Sequence, residues 1–340
     1  SSMLFVATSC GNSWLDLEPS TSVDTETSIK ILSDVEFTLN GIYSTMQSSD
    51  AYSGRLVYYG DVTGDDMQAV SSTKRVANYY RFNFTKDDNP SSHWSYLYSI
   101  IQNCNLILMN IDKLVIDEDD KAYRDDLKGE ALAIRGLALF DLTRIFGYPY
   151  LKDNGASLGV PIIEGLSTID SKPTRNTVAQ CYTKIIDDLT QSLSLLGEKF
   201  NKGKINKWGA MVLLSRVYLY KGENANALKM ASDAIIGAEK NKYALWTNED
   251  YPTAWGEDAS ASKPGEVLFE IVNLTTDSPG KESMGYLNSY DGYDDMCITC
   301  SFYQFLKEDP KDIRLKLLSF DKKYYAYVNK YNISYRNSTT

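Results

Sequence analysis

Residues 119–146 read DDKAYRDDLKGEALAIRGLALFDLTRIF, and this run decides the fold class. Tyr123, Leu127, Ala131, Ile134, Ala138 and Ile145 recur at helical spacing and line one side of a long helix. Gly129, Ala133 and Gly136 add small residues that let a neighbouring helix approach closely. Gly147 is a natural stop. Just upstream, Trp94, Leu97, Tyr98, Ile101, Cys104, Asn105 and Leu108 share one broad face of a helix over about 93–113. A short connection between the two predicts an antiparallel pair.

The same rhythm continues outward from this pair. Leu32, Val35, Leu39, Ile42, Tyr43 and Met46 mark a helix within 29–46, and further helices are predicted over 176–196, 206–221 and 223–236. In the last two, Trp208, Met211, Leu214, Val217 and Tyr218 are expected to face Ala227, Leu228, Ala231 and Ile235. Short paired helices of this length imply a mainly all-α chain of stacked, tetratricopeptide-like αα-hairpins. Trp94, Arg135, Trp208 and Arg216 sit inside these patterns and read as structural.

Elsewhere the rhythm fails. Residues 50–92 form a long Tyr-, Asp-, Ser- and Asn-rich section, with short strands expected near Arg55–Tyr59 and Asn78–Phe84. Residues 151–172 read as a loop. After residue 240, Glu266–Ile271 reads as a strand, 273–296 is dominated by Gly, Ser, Asp and Tyr, and a helix resumes at Ser301–Leu306.

Composition narrows the function. A formal charge of -10 repels phosphate backbones, so nucleic acid is not expected as a partner. One histidine, His93, leaves little room for His-based triads or His-rich metal sites. Twenty-five tyrosines point to packing between helices or to partly wet ligand platforms. Cys297 and Cys300 form a lone Cys-x-x-Cys, open to a local disulfide or two separate thiols, with no second pair at zinc spacing. Asp61, Asp65 and Asp66 lack EF-hand spacing and read as a solvated acidic loop, so neither metal nor cofactor is expected.

At the start, Ser1 to Ser9 followed by Cys10 resembles the end of a bacterial lipoprotein signal peptide, with acylation at Cys10 as the lipid attachment. A short apolar strand with a buried Cys10 is the competing reading. The expected division is 1–9 as signal remnant, 10–26 as tether, 27–240 as helical scaffold with an inserted loop at 50–92, and 241–340 as an irregular ligand-binding region.

Several segments in order resemble the SusD/RagB family of outer-membrane nutrient-binding lipoproteins. They are Cys10 with Trp14-Leu15-Asp16-Leu17-Glu18-Pro19, then Trp94 to Asn105, and the Arg124 to Tyr150 run with Lys128-Gly129-Glu130-Ala131 and Phe146-Gly147. Gly159-Val160-Pro161, Arg175, Tyr182 to Leu189, Lys207-Trp208-Gly209-Ala210, Glu266 to Glu270 and Asp312 with Arg314 continue the pattern. The resemblance implies a tetratricopeptide-like superhelix supporting a loop-rich binding half. It also implies a lipid anchor in the outer membrane, exposure at the cell surface, a TonB-dependent channel as partner, and an oligosaccharide or peptide ligand that is not turned over. Members usually continue into further core helices, so the expectation is either a truncated product or a sequence that omits its C-terminal portion.

A neutral sugar calls for flat aromatic faces flanked by planar or charged hydrogen-bonding groups. Two loop regions supply them. One holds Tyr58, Tyr59, Asp61, Asp65, Asp66, Arg75, Asn78, Tyr79 and Tyr80; the other holds Trp255, Tyr286, Asn288, Tyr290, Asp291, Tyr293, Asp294 and Asp295. The expected ligand-binding residues are Tyr286, Asn288, Tyr290, Asp291, Tyr293, Trp255, Tyr79 and Tyr80. Catalysis by paired carboxylates, as in glycoside hydrolysis, and a scaffold that binds only protein are the rival readings.

Overall fold

The computed structural model describes residues 28–85, 91–168, 170–255, 265–273, 280–321 and 325–331. Cys10, the signal remnant and the tether lie outside the described residues. The elements, in order, are α1 (Leu32–Met46), α2 (Arg55–Thr63), β1 (Met67–Ala69), α3 (Ala77–Tyr80), α4 (Ser91–Asn110), α5 (Lys121–Phe146), α6 (Val178–Leu195), α7 (Lys207–Lys221) and α8 (Asn224–Lys240). They are followed by α9 (Met284–Asn288), β2 (Met296–Ile298), α10 (Cys300–Lys307), β3 (Leu318–Phe320) and β4 (Ala326–Val328).

The helical scaffold is a stack in which each long helix packs on the next: α1 on α4, α4 on α5, α5 on α6, α6 on α7, and α7 on α8. Capping sets several of its boundaries. Thr177 and Gln180 close a reciprocal capping box at the start of α6, Asn206 accepts from Gly209 N at α7, and Gly222 ends α7 at φ +83°. The sequence pattern shows a single stripe on α5, but residues 129–143 are buried all round, as befits the central helix of a stack.

Small residues permit the close approaches. A Cβ at Gly129 would lie 2.8 Å from Leu196 Cγ, and one at Gly136 would lie 3.0 Å from Leu189 Cγ. At the next layer the expected pairing is corrected. Leu228 and Ile235 are 69% and 59% exposed, while Ala227, Ala234 and Ala238 face inward. The large indole of Trp208 fills the interface beside Gly237, where a Cβ would come within 2.0 Å of it, so α8 presents its small face.

One buried ion pair crosses the stack. Arg135 on α5 grips Asp188 on α6 through Nε (2.8 Å) and Nη2 (2.6 Å), and its Nη1 donates to Asn105 Oδ1 on α4 at 2.9 Å. Asn105 Nδ2 in turn donates to the carbonyls of Ile163 and Gly165, tying down the 151–172 loop.

Between α1 and α4 the chain leaves the stack. Neither strand expected there forms: Arg55–Thr63 is α2, with Tyr58 and Val62 one turn apart on its buried face, and Asn78–Phe84 begins inside the short α3 (Ala77–Tyr80) and continues as turn and irregular chain. The tertiary core overrides the strand preference of their aromatic and β-branched residues. Glu266–Ile271 likewise forms no described strand, because its hydrogen bonds go elsewhere. The following Val272 carbonyl accepts from Gln47 Nε2 at 2.5 Å, and Asn273 pairs with Ser53 at 3.0 Å. Gly209 of α7 lies under Leu268 and Phe269, where a Cβ would meet backbone at 3.1 Å.

Residues 50–85 join the later part of the chain through strand pairing. β1 runs antiparallel to β2 in the register Met67↔Ile298, Gln68↔Cys297, Ala69↔Met296, and β3 pairs antiparallel with β4. A small second core, with Tyr58, Val62, Met67, Val76, Met284, Leu287, Met296 and Ile298, seals this loop half.

Candidate functional site

The β1–β2 pairing sets the segment after β1 beside the segment before β2, so the two predicted tyrosine-rich loops become neighbours. Met284 and Leu287 anchor α9 in the small core, and Ser283 Oγ accepts from Tyr286 N at its start. From there the chain folds back on itself. Tyr293 N donates to Tyr286 O at 3.0 Å, Gly292 N to Ser289 O at 2.9 Å and Asp295 N to Leu287 O at 3.1 Å. Gly292 is required by this closure, since a Cβ there would stand 2.0 Å from the Tyr286 carbonyl oxygen.

The result is a ring platform. Tyr286 and Tyr293 meet edge to face at 5.0 Å, and Tyr290 leans on Tyr327 at 6.0 Å. Tyr290 and Tyr293 are 45% and 38% exposed, and Tyr286 is half-buried. Tyr327 donates its hydroxyl to Asp294 at 2.7 Å, and burial with that carboxylate beside it pushes the phenol well above the usual tyrosine range.

Arg75 organises the platform from the opposite loop. Its guanidinium lies 4.1 Å from the Tyr293 ring centroid, donates from Nε to Asp295 Oδ2 at 3.1 Å and from Nη1 to Glu282 Oε2 at 3.1 Å. Burial raises the Asp295 carboxyl, with Arg75 pulling against it. Lys74 Nζ adds a bond to the Tyr293 carbonyl at 2.7 Å and an ion pair with Asp294 at 3.4 Å.

The remaining expected residues fall into different places. Asp291 is exposed beside the rings, whereas Asn288 is only 6% exposed beneath them. Tyr80 is exposed on α3; Tyr79 is half-buried and meets Tyr59 edge to face at 5.3 Å. Tyr58 belongs to the core. Trp255 is separate from the platform. It forms an aromatic knot with Trp246 (5.0 Å) and Tyr251 (5.6 Å), with Lys330 Nζ 3.5 Å from its ring centroid, at the wall of a cleft of about 940 Å³ between the stack and the loop half.

That cleft is also lined by Arg216, which is exposed on α7 rather than packed in the core, and by the Asp141–Arg144 pair, whose carboxylate is buried. Sequence reading passed over Trp246 and Tyr251, although three large rings within ten residues were a usable signal. Cys297 is a buried free thiol in β2 and Cys300 an exposed one at the start of α10. Among the described residues, no cluster of three or more His, Cys, Asp or Glu is placed to hold a metal ion, and no helix is long and apolar enough to cross a membrane.

Known proteins share this fold. A SusD-like sequence family, described as starch-binding and associating with the outer membrane, matches residues 13–219. A SusD-like protein of Formosa agariphila, P2, is 26% identical over 85% of this chain and 55% of its own length. A solved structure from Bacteroides vulgatus ATCC 8482 is 83% identical, with a TM-score of 0.88 over 90% of this chain and 68% of that one. A SusD superfamily protein from the same organism is 36% identical, with a TM-score of 0.84 over 89% and 69% of the two chains. The chain thus spans about half the length of the curated relatives it matches. By its matched sequence and by its helical stack carrying a loop-rich half, this chain belongs to the SusD-like family.

Proposed function

We propose that this chain binds an oligosaccharide at the bacterial outer-membrane surface and passes it, chemically intact, to a TonB-dependent channel, with acyl chains on Cys10 as its anchor. The carrying observation is the platform itself: exposed Tyr290 and Tyr293, backed by Tyr286 and held in orientation by Arg75. Sugar rings bury their C–H faces on such aromatics, while neighbouring carboxylates and amides accept their hydroxyl protons. The outer-membrane, starch-binding description of the matched family supports the same reading.

Binding without turnover fits the state of the acids. Glycoside hydrolysis needs an acid and a second carboxylate, roughly 5–9 Å apart across the scissile bond. Beside these rings, Asp294 is engaged by Tyr327 and Lys74, and Asp295 and Glu282 by Arg75. Calorimetry against a glycan and peptide panel, with chromatography of the recovered ligand, tests the proposal. Binding of one glycan class, returned uncut, is expected, and Tyr290→Ala with Tyr293→Ala should weaken it about tenfold or more at unchanged melting temperature, each stacked ring contributing on the order of 1 kcal/mol. Peptide binding alone, or cleaved glycan, would sink it.

A further inference from the structure

Building on that glycan-binding reading, we infer that the tyrosine platform takes uncharged glycans and turns away acidic ones, because the cations lying on it are already neutralised by its own carboxylates. An anionic sugar, uronate or sulfate, is held by a free arginine or lysine whose bidentate or point charge is available to it. Here Arg75, the guanidinium that lies on Tyr293, is bracketed by Glu282 at 3.1 Å and Asp295 at 3.0 Å. Lys74 is bound to Asp294 and to the Tyr293 carbonyl. Arg55, the next cation inward, is paired with Asp50 and shares Glu282 at 3.5 Å.

The opposite sign is left available. Asp291 stands exposed between Tyr290 and Tyr293, and its carboxylate makes no ion pair or hydrogen bond among the described residues. Lys281 is exposed on the turn before Glu282, and with Arg55, Lys74 and Arg75 it sets four positive charges against the five negative ones of Asp50, Glu282, Asp291, Asp294 and Asp295, a net negative charge of one around the rings. An acidic ligand would therefore meet Asp291 directly and would have to displace Glu282 or Asp295 to reach Arg75. A neutral sugar meets no such obstacle. Its hydroxyls can donate to Asp291, and its ring can stack on Tyr290.

Matched ligands separate this from the reading beneath it. Oligosaccharides of α-1,4-, β-1,3- and β-1,4-linked glucose are each titrated beside their C6-oxidised uronate counterparts, at low salt, into the intact chain. For whichever linkage binds, the oxidised partner should bind at least about tenfold more weakly, the effect of one unfavourable charge near the surface, and the gap should narrow in 0.5 M salt. Asp291→Asn, at a position without a packing role, should cut that gap by about two- to threefold. Glu282→Gln, which half-frees Arg75, should cut it further. Oxidised ligand binding as well as or better than neutral ligand, or an unmoved gap in both variants, would overturn the inference while leaving glycan binding in place. Binding of no glycan at all would remove both.

Discussion

The stack and the loop half are held together by different physics. In the stack, α5 is buried on every side, the apolar core is continuous from α1 to α7, and one buried arginine–aspartate pair crosses three helices' worth of packing. The loop half has a small core, two-stranded pairings of three residues each, and rings and ions that bond each other across the chain. A continuous core spreads stability over many replaceable contacts. A surface built from specific pairs concentrates it in few, which suits a face that must present particular groups to a ligand.

The largest break in this contrast should come from the stack. Arg135→Ala leaves Asp188 fully buried with only Lys184, at 3.2 Å, to balance it. Removing one partner of a buried pair costs about 3–5 kcal/mol, so the whole chain should melt earlier in a single transition followed by circular dichroism. Separate melting of the two halves, with the loop half unaffected, would show that the stack does not support it.

A second, smaller effect is pH-dependent. Glu130 on α5 is buried against the Tyr43 hydroxyl at 2.5 Å, and burial pushes its carboxyl up to about 7. A carboxyl whose folded value is raised keeps its proton in the native state while the unfolded chain releases it. Stability should therefore fall as pH rises from about 4.5 to 7 and flatten above, by at most about 3 kcal/mol. Glu130→Gln should abolish that slope in denaturant melts at pH 5, 6, 7 and 8. Wild-type and Glu130→Gln curves that run parallel across this window would disprove the assignment.

The same contrast explains what the sequence could and could not reveal. Helical periodicity is local, so α1 and α4 to α8 are readable within a few residues of their true ends, and Arg135 reads correctly as structural. In α2, the aromatic and β-branched residues of Arg55–Thr63 favour an extended reading, yet Tyr58 and Val62 at i and i+4 carry the helical signal. Ring-rich loops around Tyr286 to Tyr293 announce themselves by composition. Their geometry does not, because Arg75 meets Glu282 across 207 residues and β1 finds β2 across more than 200. No local pattern encodes a partner that far along the chain. Trp255 shares the chemistry of the platform, and only the fold places it instead in the wall of the cleft between the stack and the loop half.

The smallest expected change in stability is the one that should matter most for binding. Gly292→Ala places a Cβ against the Tyr286 carbonyl, so the turn joining Tyr286 to Tyr293 must open. That turn lies at the surface and is held by its own backbone bonds and by pairs with Lys74, Arg75 and Tyr327 rather than by the continuous core, so opening it should cost the whole chain about 1 kcal/mol. The platform loses its edge-to-face ring pair and the register of Tyr293 under Arg75. Glycan affinity in calorimetry should then fall about tenfold or more while the melting temperature shifts by only a few degrees. If affinity survives an opened turn, the rings act independently, and the platform owes its function to composition rather than to the geometry that Arg75 and Gly292 impose.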